Sequence, residues 1–274
     1  MPCPQDHGLR KARGYGAAKA AERKTDMKAL YIDCTNGVSG DMVLMALTEL
    51  GADEAEIEKT VMKIDMGSCC CEHDHEHEHG QDHEHHHEHD HGHGHHHHHD
   101  HQRSFRQIEA MINEADIDSA IKEKAVAIYK AIALAEAEVH GADLETVHFH
   151  EVGRDRAIMN IVGTAAAVSM LQAEEIYVSP LHDGQGTIIC SHGEIPVPVP
   201  AVAAMKKQCD YEFVTEDIDM EMVTPSGLGT LIGLGAVRCD AASAEELGTV
   251  VRTGEGVGTR DTGRGGLVIS LIEK

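Results

Sequence analysis

The sequence predicts an α/β (or α+β) fold, with mixed sheets packed against helices and a disordered histidine-rich insertion interrupting the folded body. Three observations lead there. Short apolar runs of strand length alternate with segments of helical periodicity along most of the 274 residues. Hydrophobic residues make up 41% and charged residues 26%, a globular balance. One tract, residues 73–101, has no aliphatic side chain and so cannot bury anything. Aromatics are only 3% and Trp is absent, so the core has to be built from Ala, Val, Ile, Leu and Met.

These shifts in composition divide the chain. Residues 1–26 are basic and rich in Ala and Gly but lack the apolar stretch of a signal peptide, and Met27 leads straight into a strand-like run. They are expected to be a disordered extension, or to lie upstream of the true start. Residues 27–66 read as the strand–loop–helix start of the folded body, 67–103 as a His/Cys-rich metal-binding insertion, and 104–274 as the rest of the body.

Charge narrows the function classes. Lys plus Arg number 23 against 47 Asp plus Glu, a formal net charge of −24. Such a field repels phosphate backbones and anionic lipid, which argues against nucleic acid and membrane as partners and for cations. No apolar run reaches the length of a membrane span. Three of the eight cysteines are adjacent (Cys69, Cys70, Cys71), poor geometry for a disulfide framework and consistent with a reducing cytoplasmic home.

The insertion is dense in ligands. Of 23 histidines, 17 lie within it: His73, His75, His77, His79, His83, His85, His86, His87, His89, His91, His93, His95, His96, His97, His98, His99 and His101. Neutral imidazole binds Ni, Cu, Zn and Co, and interleaved carboxylates raise the local cation concentration. A purification tag would be terminal and uniform; a solvated linker without a role is the other bland explanation. Ligand density does not choose the metal, since affinity alone favours copper. A flexible, repetitive ligand supply suits loading, storage or hand-off better than catalysis, which needs fixed geometry.

The folded parts follow in order. Lys28 to Asp33 reads as a strand, Cys34 to Asp41 as a glycine-containing loop, and Met42 to Leu50 as a helix stopped by Gly51. Strand, loop and helix in that order can aim backbone amides at an anion, with Asp33, Ser39, Gly40 and Asp41 around it. Equally, Ser39 and the glycines can serve only a capped turn. Ser104 to Asn113 and Ile117 to Val139 carry apolar residues at helical spacing. In Val147 to Gly153, a strand puts His148 and His150 on one face with Glu151 opposite, whereas a helix start puts His148 and Glu151 together. Either grouping can serve a metal or a proton transfer, and so can a plain hydrogen-bonded histidine pair.

Arg154 to Leu171 reads as an Ala-rich helix and Glu175 to Pro180 as a strand, with a turn-rich loop over His182 to Gly186. Thr187 to Cys190 reads as a strand ended by Ser191-His192-Gly193, where Cys190 and His192 are spaced to offer ligands from one turn. Alternating prolines from Ile195 to Pro200 predict an extended edge or a rigid wall. Thr224 caps a helix opened by Pro225. Gly254 to Arg260 reads as a glycine-rich loop between strands at Thr249 to Arg252 and Leu267 to Ile272, where Gly256 and Gly258 could admit a phosphate.

Five motifs occur together in this order: Asp33-Cys34 with Gly37 to Met42; His148 to Gly153; Ser191-His192-Gly193 with Pro196, Pro198 and Pro200; Thr224 to Gly227; and the Gly254 to Arg260 loop. Together they resemble the nickel insertion proteins of nickel-pincer cofactor biosynthesis, the LarC family, from about Met27 to the C-terminus. The resemblance implies CTP-dependent insertion of Ni(II) into pyridinium-3,5-bisthiocarboxylic acid mononucleotide, giving the organometallic cofactor of lactate racemase. It implies His148, His150, Glu151 and His192 as metal or proton-transfer groups, and Asp33, Ser39, Gly40, Asp41, Gly256 and Gly258 as substrate or metal contacts. CTP with a divalent cation would be bound by the family's C-terminal half, which this chain lacks and a separate chain could supply. A nickel-dependent racemase or epimerase would use the product. The chain departs from the family's pattern at Arg156 and Asn160, where carboxylates are usual. Two alternatives share the residues: a non-catalytic nickel chaperone or storage protein on the same scaffold, and a phosphate-handling enzyme for which the tract is incidental.

Overall fold

A computed structural model of the chain describes residues 27–66, 103–190, 193–259 and 262–274. The expectations for residues 1–26, for the histidine tract and for His192 lie outside the described residues.

The fold is organised by β1 (Lys28–Asp33), which pairs antiparallel with β11 (Leu267–Glu273) and parallel with β4 (Glu175–Val178). Adding β10 (Thr249–Gly256) beside β11 and β9 (Val237–Arg238) beside β4 gives a five-stranded mixed sheet in the order β10-β11-β1-β4-β9. From Ala29 to Ile32, β1 is no more than 4% exposed. Leu30 and Ile32 join the main core, while Ala29 and Tyr31 face a smaller cluster with Ala244 and Ile272. Burial on both faces explains why this strand reads as a continuous apolar run rather than an alternation.

Helices cover the main face. In α1 (Gly40–Glu49) the residues Met42, Val43, Ala46 and Leu47 are buried, and α2 (Glu54–Val61) follows with Ile57, Thr60 and Val61 inside. The two-residue β2 (Arg103–Ser104) leads into α3 (Phe105–Glu114), opened by a reciprocal capping box between Ser104 and Gln107. The 22-residue α4 (Ser119–His140) is the central hub, with Ile128, Tyr129 and Ile132 fully buried. It ends at Gly141 in the left-handed conformation. After β3 (His148–Phe149), α5 (Asp155–Leu171) packs its Ala-rich side inward and feeds β4.

Three smaller units complete the body. β5 (Leu181–Asp183) pairs parallel with β8 (Phe213–Thr215). β6 (Thr187–Cys190) and β7 (Gly193–Pro196) form a hairpin, and α6 (Pro200–Met205) then leads towards β8. α7 (Pro225–Gly233) packs on α4 and feeds β9.

Most predicted elements are present, and three differ. His182 and Asp183 belong to strand β5, because their backbones pair with β8, and the turn begins only at Gly184. The proline-alternating run is half strand and half helix start: β7 ends at Pro196 and Pro200 opens α6. Gly254 and Gly256 are not loop residues. They lie in β10 at the close approach to α1, where a Cβ on Gly254 would sit 2.1 Å from the Ala46 carbonyl oxygen and one on Gly256 1.9 Å from that of Met42. Helix backbone fills the space that a phosphate would need above Gly256; Gly258 lies beyond the strand.

Two predictions follow from the packing. Gly256→Ala forces strand and helix apart and is expected to cost about 1–3 kcal/mol of unfolding free energy, read by denaturant titration; an unchanged midpoint contradicts the close approach. Cys34, at the end of β1, is fully buried, and desolvation with the nearby Asp33 charge pushes its thiol well above the usual range. It is therefore a packed thiol rather than a thiolate ligand. Iodoacetamide under native conditions, followed by peptide mass mapping, should label Cys190, Cys209 or Cys239 at least tenfold faster than Cys34.

Candidate functional site

Strand direction places the site. β1, β4 and β9 run parallel, and α5 and α7 return the chain to start β4 and β9, so the N-termini of α1, α5 and α7 gather where these strands end. The turn between β10 and β11 comes to the same end, since β11 opposes β1. Crevices outside the carboxyl ends of parallel strands are where open α/β sheets take ligands.

Side chains stitch this rim together. Ser39 caps α1 by accepting the Met42 amide at 3.2 Å, and the Gly40 amide donates to Ser226 Oγ at 3.3 Å. Thr224 caps α7 by accepting the Gly227 amide at 3.1 Å. Val38 pairs with the strand-like segment at Val223, its amide donating to the Met222 carbonyl at 2.9 Å and its carbonyl accepting from Thr224 at 3.0 Å. Gly37 makes this possible, with φ +84° and its Cα facing the Met222 carbonyl. The loop is thus a capped turn in which the amides of Gly40 and Met42 are already engaged. Asp33 turns inward on its own loop and accepts from the Thr35 amide and hydroxyl at 3.0 and 2.6 Å.

Asp41 meets the first turns of α5. Its carboxylate accepts from the Asn160 amide and lies 3.5 Å from the Arg156 guanidinium. At these two positions the chain therefore sets an amide and a cation against a carboxylate rather than adding to it.

The His148 to Glu151 run lies just before α5 and resolves its two alternatives only in part. β3 covers His148 and Phe149 alone, with His148 exposed and Phe149 buried against Tyr129 at a ring separation of 5.6 Å. The chain then turns. His150 lies against His140 at the end of α4, its ring tilted and the centroids 5.6 Å apart, while Glu151 is exposed. Among the described residues, no three His, Cys, Asp or Glu side chains are placed to hold a metal ion.

The stems of the insertion are clasped at this same turn. Arg103, only 14% exposed, donates to the carbonyls of Gly153 and Met66 at 2.9 and 2.8 Å and pairs with Asp155 at 2.6 Å. One guanidinium thus joins Met66 and Arg103, the described residues that flank the insertion, to the first turn of α5. A cavity of about 590 Å³, lined in part by Lys63, Met66, Arg103 and Gln107, opens at these stems and not at the rim. None of the rim's polar groups lines that hollow.

The sequence reading passed over a second polar group at the rim. His182 Nδ1 lies 2.5 Å from Glu216 Oε1, and Arg264 donates to Glu216 Oε2 at 2.8 Å. Arg264 first, and His182 second, hold the Glu216 carboxyl down to about 2. A depressed folded-state value means that this arrangement is complete above the ordinary carboxylate range and is lost only as pH falls towards 2. The neighbouring Asp183 is 2% exposed; its Oδ1 accepts the amides of Gly184, Met222 and Val223 at 2.9, 3.1 and 3.1 Å, bracing the segment that pairs with Val38. Its Oδ2 is buried without a partner among the described residues. The sequence signal for this group was faint, a lone His-Asp pair after an apolar run, with its partners tens of residues away.

Proteins named pyridinium-3,5-bisthiocarboxylic acid mononucleotide nickel insertion protein align over most of the chain. The one from Acetivibrio thermocellus is 38% identical over 243 residues, covering 87% of this chain and 58% of the relative. The Lactiplantibacillus plantarum protein is 38% identical, covering 86% and 59%, and that of Akkermansia muciniphila 34%, covering 85% and 57%. The chain therefore spans somewhat more than half the length of these relatives. No solved structure matches it significantly. The profile of the family described as nickel insertion protein covers residues 30–272, and this chain belongs to that family.

Proposed function

We propose that this chain performs the nickel-handling part of cofactor assembly. The histidine tract collects Ni(II) and releases it by ligand exchange to an acceptor at the rim, a pyridinium-3,5-bisthiocarboxylic acid mononucleotide like that in the relatives' names. Nickel is cargo here, not a resident cofactor. Insertion consumes CTP with a divalent cation, bound by the C-terminal portion that the relatives possess, either continuous with this chain or on a separate one. The product is the nickel-pincer cofactor of a lactate racemase or a related nickel-dependent racemase or epimerase, and the setting is the cytoplasm.

One observation carries this reading: Arg103 ties Met66 and its own strand, which flank the insertion, to the first turn of α5, and that turn also meets Asp41. A metal supply anchored beside the acceptor works at high effective concentration, so transfer need not pass through bulk solvent. Asp33, Ser39, Gly40 and Asp41 stand at that rim, and His148, His150 and Glu151 stand at the turn between tract and rim. The sulfur arms of the acceptor supply soft ligands that the rim lacks.

The test uses the full chain with the C-terminal portion of a relative, CTP, the mononucleotide and nickel. New metal–sulfur absorbance is the expected result. Deleting residues 73–101 should slow insertion at least tenfold at micromolar nickel, with excess nickel restoring the rate. Equal rates at limiting nickel contradict a supply role for the tract.

A second reading, nickel delivery or storage without insertion, has its own support. Asn160 and Arg156 engage the Asp41 carboxylate and so compete with a metal for its oxygens. If this engagement silences the site, the pair Arg156→Asp with Asn160→Asp should raise insertion above that of the parent chain. Stoichiometric nickel uptake by the parent with no product, followed by product from this variant, favours delivery; a parent that already inserts nickel rules it out.

A further inference from the structure

We propose that His182 is the base that takes the ring proton of the pyridinium acceptor, with Glu216 as its positioning residue and Arg264 holding Glu216. The proposal rests on the insertion reading and names the residue for its most demanding step.

Position comes first. The His182 amide donates to the Cys34 carbonyl at 3.2 Å, so this histidine stands beside the loop that leaves β1 at the rim. Its side chain is 21% exposed, enclosed enough to be fixed and open enough to meet a ligand. Orientation comes next. Glu216 is acceptor-only when ionised, so the contact at 2.5 Å puts the proton on Nδ1 and leaves the lone pair of neutral imidazole on Nε2. Nε2 has no hydrogen-bond partner among the described residues. Glu216 is itself fixed by Arg264 at 2.8 Å and by its own amide, which donates to the Asp183 carbonyl at 2.7 Å. Because its carboxyl is held down to about 2, chiefly by Arg264, Glu216 stays ionised at neutral pH.

Two other histidines among the described residues stand near the rim, His148 and His150. His150 lies against His140, and His148 is exposed on the short ladder with β2. His182 has both the enclosure and, in Glu216, the carboxylate that fixes its tautomer.

The step balances without an oxidant. Two sulfur arms hold Ni(II) over the ring carbon between them. The C–H bond breaks, its electron pair becomes the carbon–nickel bond, and the proton passes to Nε2. Nickel stays divalent, the imidazolium is balanced by Glu216, and the proton then leaves to solvent.

The experiment again uses the full chain with a relative's C-terminal portion, Ni(II), CTP and the bisthiocarboxylic mononucleotide, following product absorbance across pH. His182→Gln should lower the insertion rate about 10²-fold or more, while nickel and mononucleotide affinity, by calorimetry, stay within about threefold. Glu216→Gln should lower the rate about tenfold or more, as for other groups that orient a functional histidine. The parent's rate should rise with pH through a single group that the His182→Gln variant lacks, and added imidazole should restore His182→Gly. Undiminished product from His182→Gln overturns the proposal and leaves the insertion reading standing. A slow variant that has also lost affinity, with no imidazole rescue, overturns it in favour of a structural role. No product from the parent chain overturns the insertion reading and this proposal with it.

Discussion

Parallel pairing of β1 with β4, and of β4 with β9, is the constraint on which the rest depends. Each parallel step obliges the chain to cross back through a helix, so α5 and α7 begin where α1 begins. Three helix starts, two of them capped by Ser39 and Thr224, the loop after β1, the strand β5 and the turn between β10 and β11 are thereby brought to one end of a single sheet. The antiparallel strands β10 and β11 close the opposite edge, and their glycines let α1 lie almost on the backbone. No residue of the rim is close in sequence to all the others. The sheet brings them together, and hydrogen bonds between the loops then tie them.

Around this end, an acidic protein uses its few guanidiniums as ties. Arg103 joins the two stems of the insertion to α5, Arg264 fixes Glu216, and Arg156 faces Asp41. The first two are engaged with carboxylates at 2.6 and 2.8 Å, while Arg156 is 78% exposed and 3.5 Å from its partner. The tight pairs position segments of chain. The loose one has freedom to exchange its partner for an anion arriving from solvent, because an exposed pair of that kind holds by about 1 kcal/mol or less.

Local chemistry made much of this legible in the sequence. Ser39 and Thr224 announce helix starts by residue type, and both cap as expected; the Ala-rich face of α5 and the apolar spacing of α4 also appear where the pattern puts them. The family could be recognised because five short motifs keep their order. Glycine misled at β10, since Gly254 and Gly256 alternate as strand residues do, and their purpose is a helix 200 residues earlier in the chain. His182 was missed for a related reason: what makes it distinctive is Glu216 and Arg264, and neither is its neighbour in sequence. The run from His148 to Glu151 was ambiguous in sequence because it is neither strand nor helix for long. Two residues of ladder are followed at once by a turn that Arg103 pins.

The central claim is that the acceptor is gripped at the carboxyl ends of the parallel strands, beside the rooted tract. Amide hydrogen exchange of the full chain, with and without the bisthiocarboxylic mononucleotide, tests it most directly. The account predicts slowed exchange confined to residues 34–41, 181–186, 216–227 and the turn before β11. Slowed exchange at the cavity between α2 and α3 instead, or none at the rim while the ligand is bound, would contradict it.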